Sequence, residues 1–169
     1  SSTLVLPSSA DYTTVAGDYL LFVGRAAGVV TVQVFKADGT SVVSPTGSVN
    51  NFRLTLTSNT PITTSDVTAA GTLYLTPHGG NQISLYDGSV WRLYSSAQVS
   101  ISLAAITTGK PYDVFAEYTG GAVTLSLTAW TNDTTRATAL TTQDGILVKT
   151  GDLPKRYVGT IYPSGAGTT

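Results

Sequence analysis

The amino-acid sequence predicts an all-β fold, an antiparallel β-sandwich or a pair of sandwiches with little or no helix. Charged residues make up only 11% of the 169 residues, which is too few for a set of solvent-exposed helices. The mean hydropathy of +0.15 is too high for a disordered chain. Apolar and polar residues alternate with a period of two in several segments, the pattern of a strand with one buried face. At least ten segments qualify as strands.

The first third of the chain contains three such segments. Residues 19–23 form a short apolar run, and residues 30–36 alternate between apolar and polar side chains. Asp38-Gly39 favours a tight turn, after which Val42 and Val43 would begin a return strand, since glycine accepts the positive φ that hairpin turns require. Residues 52–57 alternate again.

The remainder of the chain continues the pattern of strands and turns. Turns are predicted at Asp87-Gly88, Gly120-Gly121 and Gly151-Asp152. Residues 133–142 have the only helix signal, a capping Asp133, and their threonine content argues against a stable helix. The predicted strands are 73–75, 82–86, 90–94, 99–103, 112–118, 123–130, 146–148 and 156–161.

The best candidate for a domain boundary is the polar, turn-rich stretch before residue 67. We therefore expect an N-terminal β region over 1–58 and a β-sandwich domain over 67–164. A single composite domain is the alternative. Residues 165–169, Gly-Ala-Gly-Thr-Thr, are typical of a flexible tail.

Composition excludes several classes of function. The chain has no Cys, no Met and a single His, which removes disulfides, thiol chemistry and zinc fingers. The net charge of −1 and the isoelectric point near 5.6 provide no basic face for nucleic acid. No stretch of about 18 apolar residues is present that could cross a membrane. We predict no cofactor, no metal site, no nucleic-acid partner and no membrane partner.

Candidate catalytic groups are few. His78 lies in a Pro-His-Gly-Gly segment typical of a surface turn, and no nucleophile-elbow spacing accompanies it. Asp113 and Glu117 would share one face of a strand, where paired carboxylates could hydrolyse a glycosidic bond. A solvated strand face is the simpler interpretation of that pair. The sequence therefore predicts that the protein is not an enzyme. Three aspartates beside glycine are interpreted as turn residues rather than calcium ligands: Asp87, Asp144 and Asp152.

One group of aromatic residues suggests a surface for binding sugars. Tyr86, Trp91 and Tyr94 surround the predicted hairpin, and Arg92 could donate hydrogen bonds to a ligand. Residues two apart on a strand share a face, so Trp91 is expected with Leu93 and Tyr94 with Arg92. We therefore predict that Trp91 is a core residue, and we keep Tyr86, Arg92 and Tyr94 as candidate surface-binding residues.

The segment LAAITTGKPYDVF, residues 103–115, resembles a corner of fibronectin type III and other immunoglobulin-like sandwiches. In those sandwiches a tyrosine at the start of a strand bonds back to the backbone of the preceding turn. The resemblance implies that Tyr112 is that tyrosine and that Leu103 and Ile106 cap the core beside it.

A second resemblance extends from about residue 60 to the end of the chain. It is carried by GTLYLTPHGGNQISLYDG (71–88), YDVF (112–115), WTNDTTRA (130–137) and QDGILVK (143–149). These motifs resemble a module of virion proteins from tailed phages and prophages, whose roles are mostly undefined.

The resemblance implies a structural component of the virion, of tail-fibre or capsid-decoration type. Few charged residues are available to blunt the edges of the sheets, which predicts a homo-oligomer. The resemblance favours a trimer and implies other virion proteins as partners. A glycan on the host surface is a further candidate partner. No functional residues come with the resemblance, and the first sixty residues lie outside it. The alternative function is a secreted carbohydrate-binding module.

Overall fold

The computed structural model describes residues 49–169 in full, and only the backbone of 3–4, 12–13, 19–26 and 29–35. The chain divides into two compact units, Ser1–Ser44 and Pro45–Thr169. The described residues contain strands and no helix, so the all-β prediction is confirmed. Residues 133–139, where a helix signal was noted, form an irregular loop with bends.

The described part of the first unit consists of four antiparallel strands. Strands β1 (Thr3–Leu4) and β2 (Tyr12–Thr13) pair with each other, as do β3 (Tyr19–Ala26) and β4 (Val29–Phe35). The last two correspond to the strands predicted over 19–23 and 30–36. The turn predicted at Asp38-Gly39 and the return strand at Val42-Val43 lie outside the described residues.

The second unit contains ten strands, nine of them at positions predicted from the sequence. The strand β12 was not predicted, because Leu-Thr-Thr-Gln lacks an apolar alternation. The strands are β5 (Phe52–Thr55), β6 (Thr72–Pro77), β7 (Gln82–Tyr86), β8 (Trp91–Ser95), β9 (Val99–Ser102), β10 (Tyr112–Thr119), β11 (Ala122–Ala129), β12 (Leu140–Gln143), β13 (Ile146–Lys149) and β14 (Asp152–Ile161).

These strands form antiparallel sheets. One sheet has five strands in the order β11-β10-β14-β13-β12, and a second has three in the order β5-β6-β9. The β7–β8 hairpin adjoins the start of β5, because Asn51 N donates to Gln82 O (2.9 Å) and Ser84 N donates to Val49 O (2.9 Å). The hairpin is thereby attached to the three-stranded sheet.

The core contains two clusters of buried side chains, and Leu54, Leu125 and Val158 pack against both. Gly159 in β14 permits a close approach, since a Cβ atom there would lie 2.7 Å from Leu54 Cδ1. The buried members are Phe52, Leu75, Ile83, Leu85, Ala116 and Val123 in the first cluster, and Leu73, Leu103, Ile106, Tyr112 and Val114 in the second.

The division of the chain differs from the predicted boundary between 58 and 67. Strand β5 pairs with β6 across the turn-rich stretch, with Phe52 opposite Pro77 and Thr55 opposite Tyr74. That stretch is therefore a connection within the second unit, and the division falls between residues 44 and 45. Backbone pairing across a polar loop leaves no mark in the composition of the loop itself.

The C-terminal residues 165–169 do not form a free tail. Thr169 N donates to Ala70 O (3.2 Å), Ala70 N donates to Thr169 O (3.1 Å), and Gly167 N donates to Ile106 O (3.0 Å). The segment that suggested a linker instead lies against the loop that follows β9, and Gly167 adopts a positive φ of 73° there, which favours glycine.

Candidate functional site

The corner between β9 and β10 brings Leu103, Ile106 and Tyr112 together in one buried cluster. The Tyr112 hydroxyl accepts a hydrogen bond from the backbone N–H of Thr107 at 2.9 Å, and it lies 3.1 Å from Thr107 Oγ1. This is the bond back to the turn that the immunoglobulin-like resemblance implies. The corner fixes the path of the chain as it crosses from one sheet to the other.

The candidate surface-binding residues do not form one platform. Tyr86 packs against Trp91 with the ring centroids 5.6 Å apart, whereas Tyr94 stacks on Tyr118 at 4.0 Å with the rings inclined by 16°. Trp91 is 3% exposed, and its Nε1 donates to Asp144 Oδ2 at 3.0 Å. The prediction that Trp91 is a core residue is confirmed. Tyr86 lies on the same face of the hairpin as Trp91, whereas Tyr94 lies on the opposite face.

A different group of side chains meets at this surface, and we call it the tyrosine stack: Tyr94, Tyr118, Arg92 and Asp87. Arg92 and Tyr94 share one face of β8, and Arg92 Nε donates to the Asp87 carboxylate. The side chain of Arg92 is 59% exposed and Tyr118 is 44% exposed. Burial raises the pKa of the Tyr94 hydroxyl. Sequence reasoning missed Tyr118, which lies on β10 and reaches Tyr94 only through the tertiary fold.

Asp87 closes the β7–β8 hairpin. Its Oδ1 accepts hydrogen bonds from the backbone N–H groups of Ser89 (2.9 Å) and Val90 (2.8 Å). The bond from Val90, then the bonds from Arg92 and Ser89, lower the pKa of Asp87 from 3.8 to about 2. The carboxylate is therefore ionised at neutral pH, and it holds the Arg92 guanidinium.

The depressed pKa of Asp87 predicts a pH effect on stability. A carboxylate with a lower pKa in the folded state stabilises the fold above its unfolded pKa and loses that contribution as pH falls through the folded value. We expect the difference in urea midpoint between the wild type and Asp87→Asn to be constant at neutral pH and to shrink from about pH 4 to pH 2. A difference that stays the same down to pH 2 would contradict this assignment.

Asp113 was expected on a solvated face beside Glu117, and that expectation is wrong. Asp113 is 2% exposed, and both carboxylate oxygens are occupied. Arg136 Nε donates to Oδ2 at 2.9 Å, and Thr160 Oγ1 donates to Oδ1 at 2.6 Å. Glu117 does share the strand face, but it lies 3.9 Å from Lys155 Nζ. Asp113 is therefore a buried carboxylate whose two oxygens bond to an arginine and a threonine of the same chain.

Arg136 connects Asp113 to the segment after β11. Its guanidinium lies 4.5 Å from the centroid of the Trp130 ring and 5.8 Å from that of Tyr157. A guanidinium over an aromatic face is attracted by the ring quadrupole. The polar residues on this side of the five-stranded sheet therefore fasten the loop over residues 130–139 to the sheet. Sequence reasoning missed this network, because Arg136 and Thr160 lie 23 and 47 residues from Asp113 along the chain.

Arg156 is a second buried charge that sequence reasoning did not single out. It is 6% exposed, and its Nη1 donates to Val49 O at 2.7 Å and to Ser84 O at 2.8 Å. Its guanidinium carbon also lies 5.9 Å from the Trp91 ring. Burial lowers the pKa of Arg156 to about 10, so the side chain stays charged at neutral pH. It ties β14 to β7 and to the segment before β5. Alternation in β14 could have signalled this position, since Arg156 and Val158 share a face.

The described residues contain no group of three or more His, Cys, Asp or Glu that could hold a metal ion. His78 follows β6, where its backbone N–H donates to Asn51 O at 2.8 Å. Asp144 and Asp87 are engaged by Trp91 and by the hairpin, as described above. Within 49–169 and the described strands of the first unit, no helix is long and apolar enough to cross a membrane.

The side chains of the described residues predict that the fold does not depend on a bound metal ion. We expect the thermal midpoint of the purified chain to be the same with and without a strong chelator, because the polar core groups bond to one another. Addition of calcium to the chelated protein is the control. A midpoint that falls with the chelator and recovers with calcium would reveal a structural ion.

Comparison with known proteins gives no match: no family model, no curated protein and no solved structure aligns significantly with the chain.

Proposed function

We propose that the protein is a non-catalytic structural component of a bacteriophage virion, of capsid-decoration or tail-fibre type. It would act by self-assembly and by binding other virion proteins or the host surface. The resemblance over residues 71–149 supports the particle assignment. The proposed location is the virion.

The non-catalytic part of the proposal is supported by the partners of the buried charged side chains, which are groups of the chain itself. Asp113 and Arg136 fasten a loop to the five-stranded sheet, and Arg156 holds three chain segments together. Enzymes place perturbed ionisable groups in clefts where they can reach a substrate. Here the buried charged groups bond to the sandwich itself, which suits a rigid structural module.

The immunoglobulin-like corner supports the same role. Tyr112 locks the crossing between sheets through Thr107, and residues 165–169 bond to Ala70 and Ile106. Sandwiches of this kind serve as scaffolds that present edges and loops to partners. The fold alone does not assign a function, so the virion proposal depends on a direct test.

That test is to look for the chain in purified particles from the strain that encodes it. Quantitative mass spectrometry should find it at many copies per particle, and gold-labelled antibody should mark either the head or the tail. An abundant cytoplasmic protein of the same strain is the control for contamination. Absence from particles, with the chain free in the culture medium, would overturn the proposal.

The tyrosine stack favours a second candidate function, a carbohydrate-binding module. The exposed ring of Tyr118 could stack on a pyranose, and Arg92, which donates only its Nε within the described residues, keeps its Nη groups for sugar oxygens. Calorimetry with neutral and acidic oligosaccharides tests this candidate. Tyr118→Ala should abolish binding, whereas Tyr162→Ala should leave it intact, because Tyr162 is also exposed but lies outside the stack. Equal binding by both variants would reject the stack as a sugar site.

A further inference from the structure

Strand β11 is a long and unprotected edge of the five-stranded sheet. It pairs with β10 over all eight residues without a bulge, and among the described strands none pairs with its other side. Its sequence, Ala-Val-Thr-Leu-Ser-Leu-Thr-Ala, has neither a charge nor a proline. Free edges are normally blunted by charges, proline, bulges or shortness, because an exposed row of N–H and C=O groups invites pairing.

The other edge strands of this unit have such protection. Strands β5, β9 and β12 are four residues long, and β8 carries the exposed Arg92. Strand β9 lies alongside β11 across the sandwich, but no backbone hydrogen bond joins the two strands. The edge of β11 is therefore the place in the described sandwich where a strand could be added.

The hairpin fixes which backbone groups of β11 are free. Gly120 and Gly121 form a two-residue turn with positive φ, so Thr119 and Ala122 are a hydrogen-bonded pair. At the other end of the hairpin Trp130 N donates to Pro111 O at 2.9 Å, so residues 111 and 130 fit the same alternation of hydrogen-bonded pairs. In an antiparallel ladder the hydrogen-bonded pairs alternate, so every second residue of β11 points its N–H and C=O away from β10. These residues are Val123, Leu125, Leu127 and Ala129.

The sequence of β11 is symmetric about Ser126. Leucine stands on each side of it, threonine two residues away on each side, and a small apolar residue three residues away. A two-fold axis at Ser126 would place Leu125 opposite the partner's Leu127, and both residues have their backbone groups free. The register that the symmetry selects is thus one that the free hydrogen-bonding groups allow.

We propose that β11 pairs antiparallel with β11 of a second copy of this chain about a two-fold axis at Ser126. The two five-stranded sheets would join into one continuous sheet. An isologous contact of this kind uses the same residues on both subunits. The β11 pairing would be the contact through which the chain self-associates, and it rests on the self-assembly proposed above. A two-fold contact gives dimers or other even assemblies, whereas the trimer that the virion resemblance implies would need a different, head-to-tail contact.

The side chains suit this register. Thr124 would stand opposite the partner's Thr128, and Ser126 opposite the partner's Ser126, all on the outer face and at non-hydrogen-bonded positions. Hydroxyl pairs at such positions are favourable cross-strand neighbours, with Cα atoms about 4.5 Å apart. All three residues are half-buried in the isolated chain. Ser126 Oγ has no hydrogen-bond partner among the described residues, and rotation about χ1 would turn it toward its symmetry mate.

Cysteine cross-linking tests the register directly, because the chain contains no cysteine. Ser126→Cys changes one atom and places two thiols opposite each other across the axis. In the proposed pair the two copies of residue 124 are four residues apart along the strands, about 13 Å, which is too far for a disulfide. Thr124→Cys alone is therefore the matched control, and a mixture of Thr124→Cys and Thr128→Cys should cross-link.

We expect mild oxidation at micromolar concentration to convert most of the Ser126→Cys protein into a disulfide-linked dimer, with Thr124→Cys remaining unlinked. Tryptophan fluorescence confirms that each variant is folded. If Ser126→Cys does not fold, the mixture of the two threonine variants tests the same register. Equal cross-linking of Ser126→Cys and Thr124→Cys, or none in any folded combination, would overturn the pairing. A chain found in particles without the Ser126 cross-link would refute this contact alone, and a cross-linked chain absent from particles would refute the virion proposal alone.

Discussion

Arg156→Ala is expected to destabilise the second unit by about 3 to 5 kcal/mol. The substitution removes a buried guanidinium, leaves Ser84 O without its donor, and leaves Val49 O with the Ser84 N–H alone. A buried carbonyl left unpaired costs about 1 to 3 kcal/mol, and the volume of the lost side chain adds a cavity. Both tryptophans, Trp91 and Trp130, lie in this unit, so their fluorescence during urea unfolding reports the loss.

Two further variants make the Arg156 result specific. Arg156→Lys keeps a charge but offers a single donor point, so an intermediate loss is expected. Arg53→Ala removes an exposed arginine of β5 and should change the free energy of unfolding by less than about 0.5 kcal/mol. If Arg156→Ala were as stable as Arg53→Ala, the two carbonyl bonds would not hold the three segments together.

Tyr112→Ala is expected to have the second large effect, also about 3 to 5 kcal/mol, because a 7% exposed ring is lost from the core. Tyr112→Phe keeps the ring and removes the hydroxyl that bonds to the Thr107 N–H and contacts Thr107 Oγ1. Its expected cost is about 1 to 1.5 kcal/mol, the contribution of one hydrogen bond. The measurement is again the free energy of unfolding in urea.

Tyr162→Phe provides the control for the Tyr112 pair, since Tyr162 is 55% exposed and its ring is outside both core clusters. It should unfold at the wild-type midpoint. The corner interpretation would be refuted if both Tyr112 variants also kept the wild-type midpoint.

Features with a local cause could be predicted from the sequence. The alternation of apolar and polar residues predicted β10 and β11, and Gly120-Gly121 predicted the turn between them. Both signals depend on residues that are neighbours in the sequence. Trp91 was assigned to the core by the same alternation. Tyr112 was found because its hydrogen bond spans only five residues.

Features with a distant cause could not be predicted. Asp113 was placed on a solvated face, yet Arg136 and Thr160 reach it from 23 and 47 residues away. Tyr118 joins Tyr94 from another strand. The five C-terminal residues resembled a linker by composition, whereas their backbone bonds are made to Ala70 and Ile106. In each case the burial or the partner depends on strands brought together by tertiary packing.

Self-assembly is the central claim of this account, and the mass of the whole chain in solution tests it most directly. Light scattering coupled to size exclusion, at micromolar concentration, should give a multiple of 17.5 kDa, with two copies as the smallest species that the β11 contact allows. Ser126→Lys should shift the mass toward one copy, because like charges would oppose each other across the axis. A clean 17.5 kDa monomer for the wild type at every concentration would contradict the assembly claim and favour the carbohydrate-binding alternative.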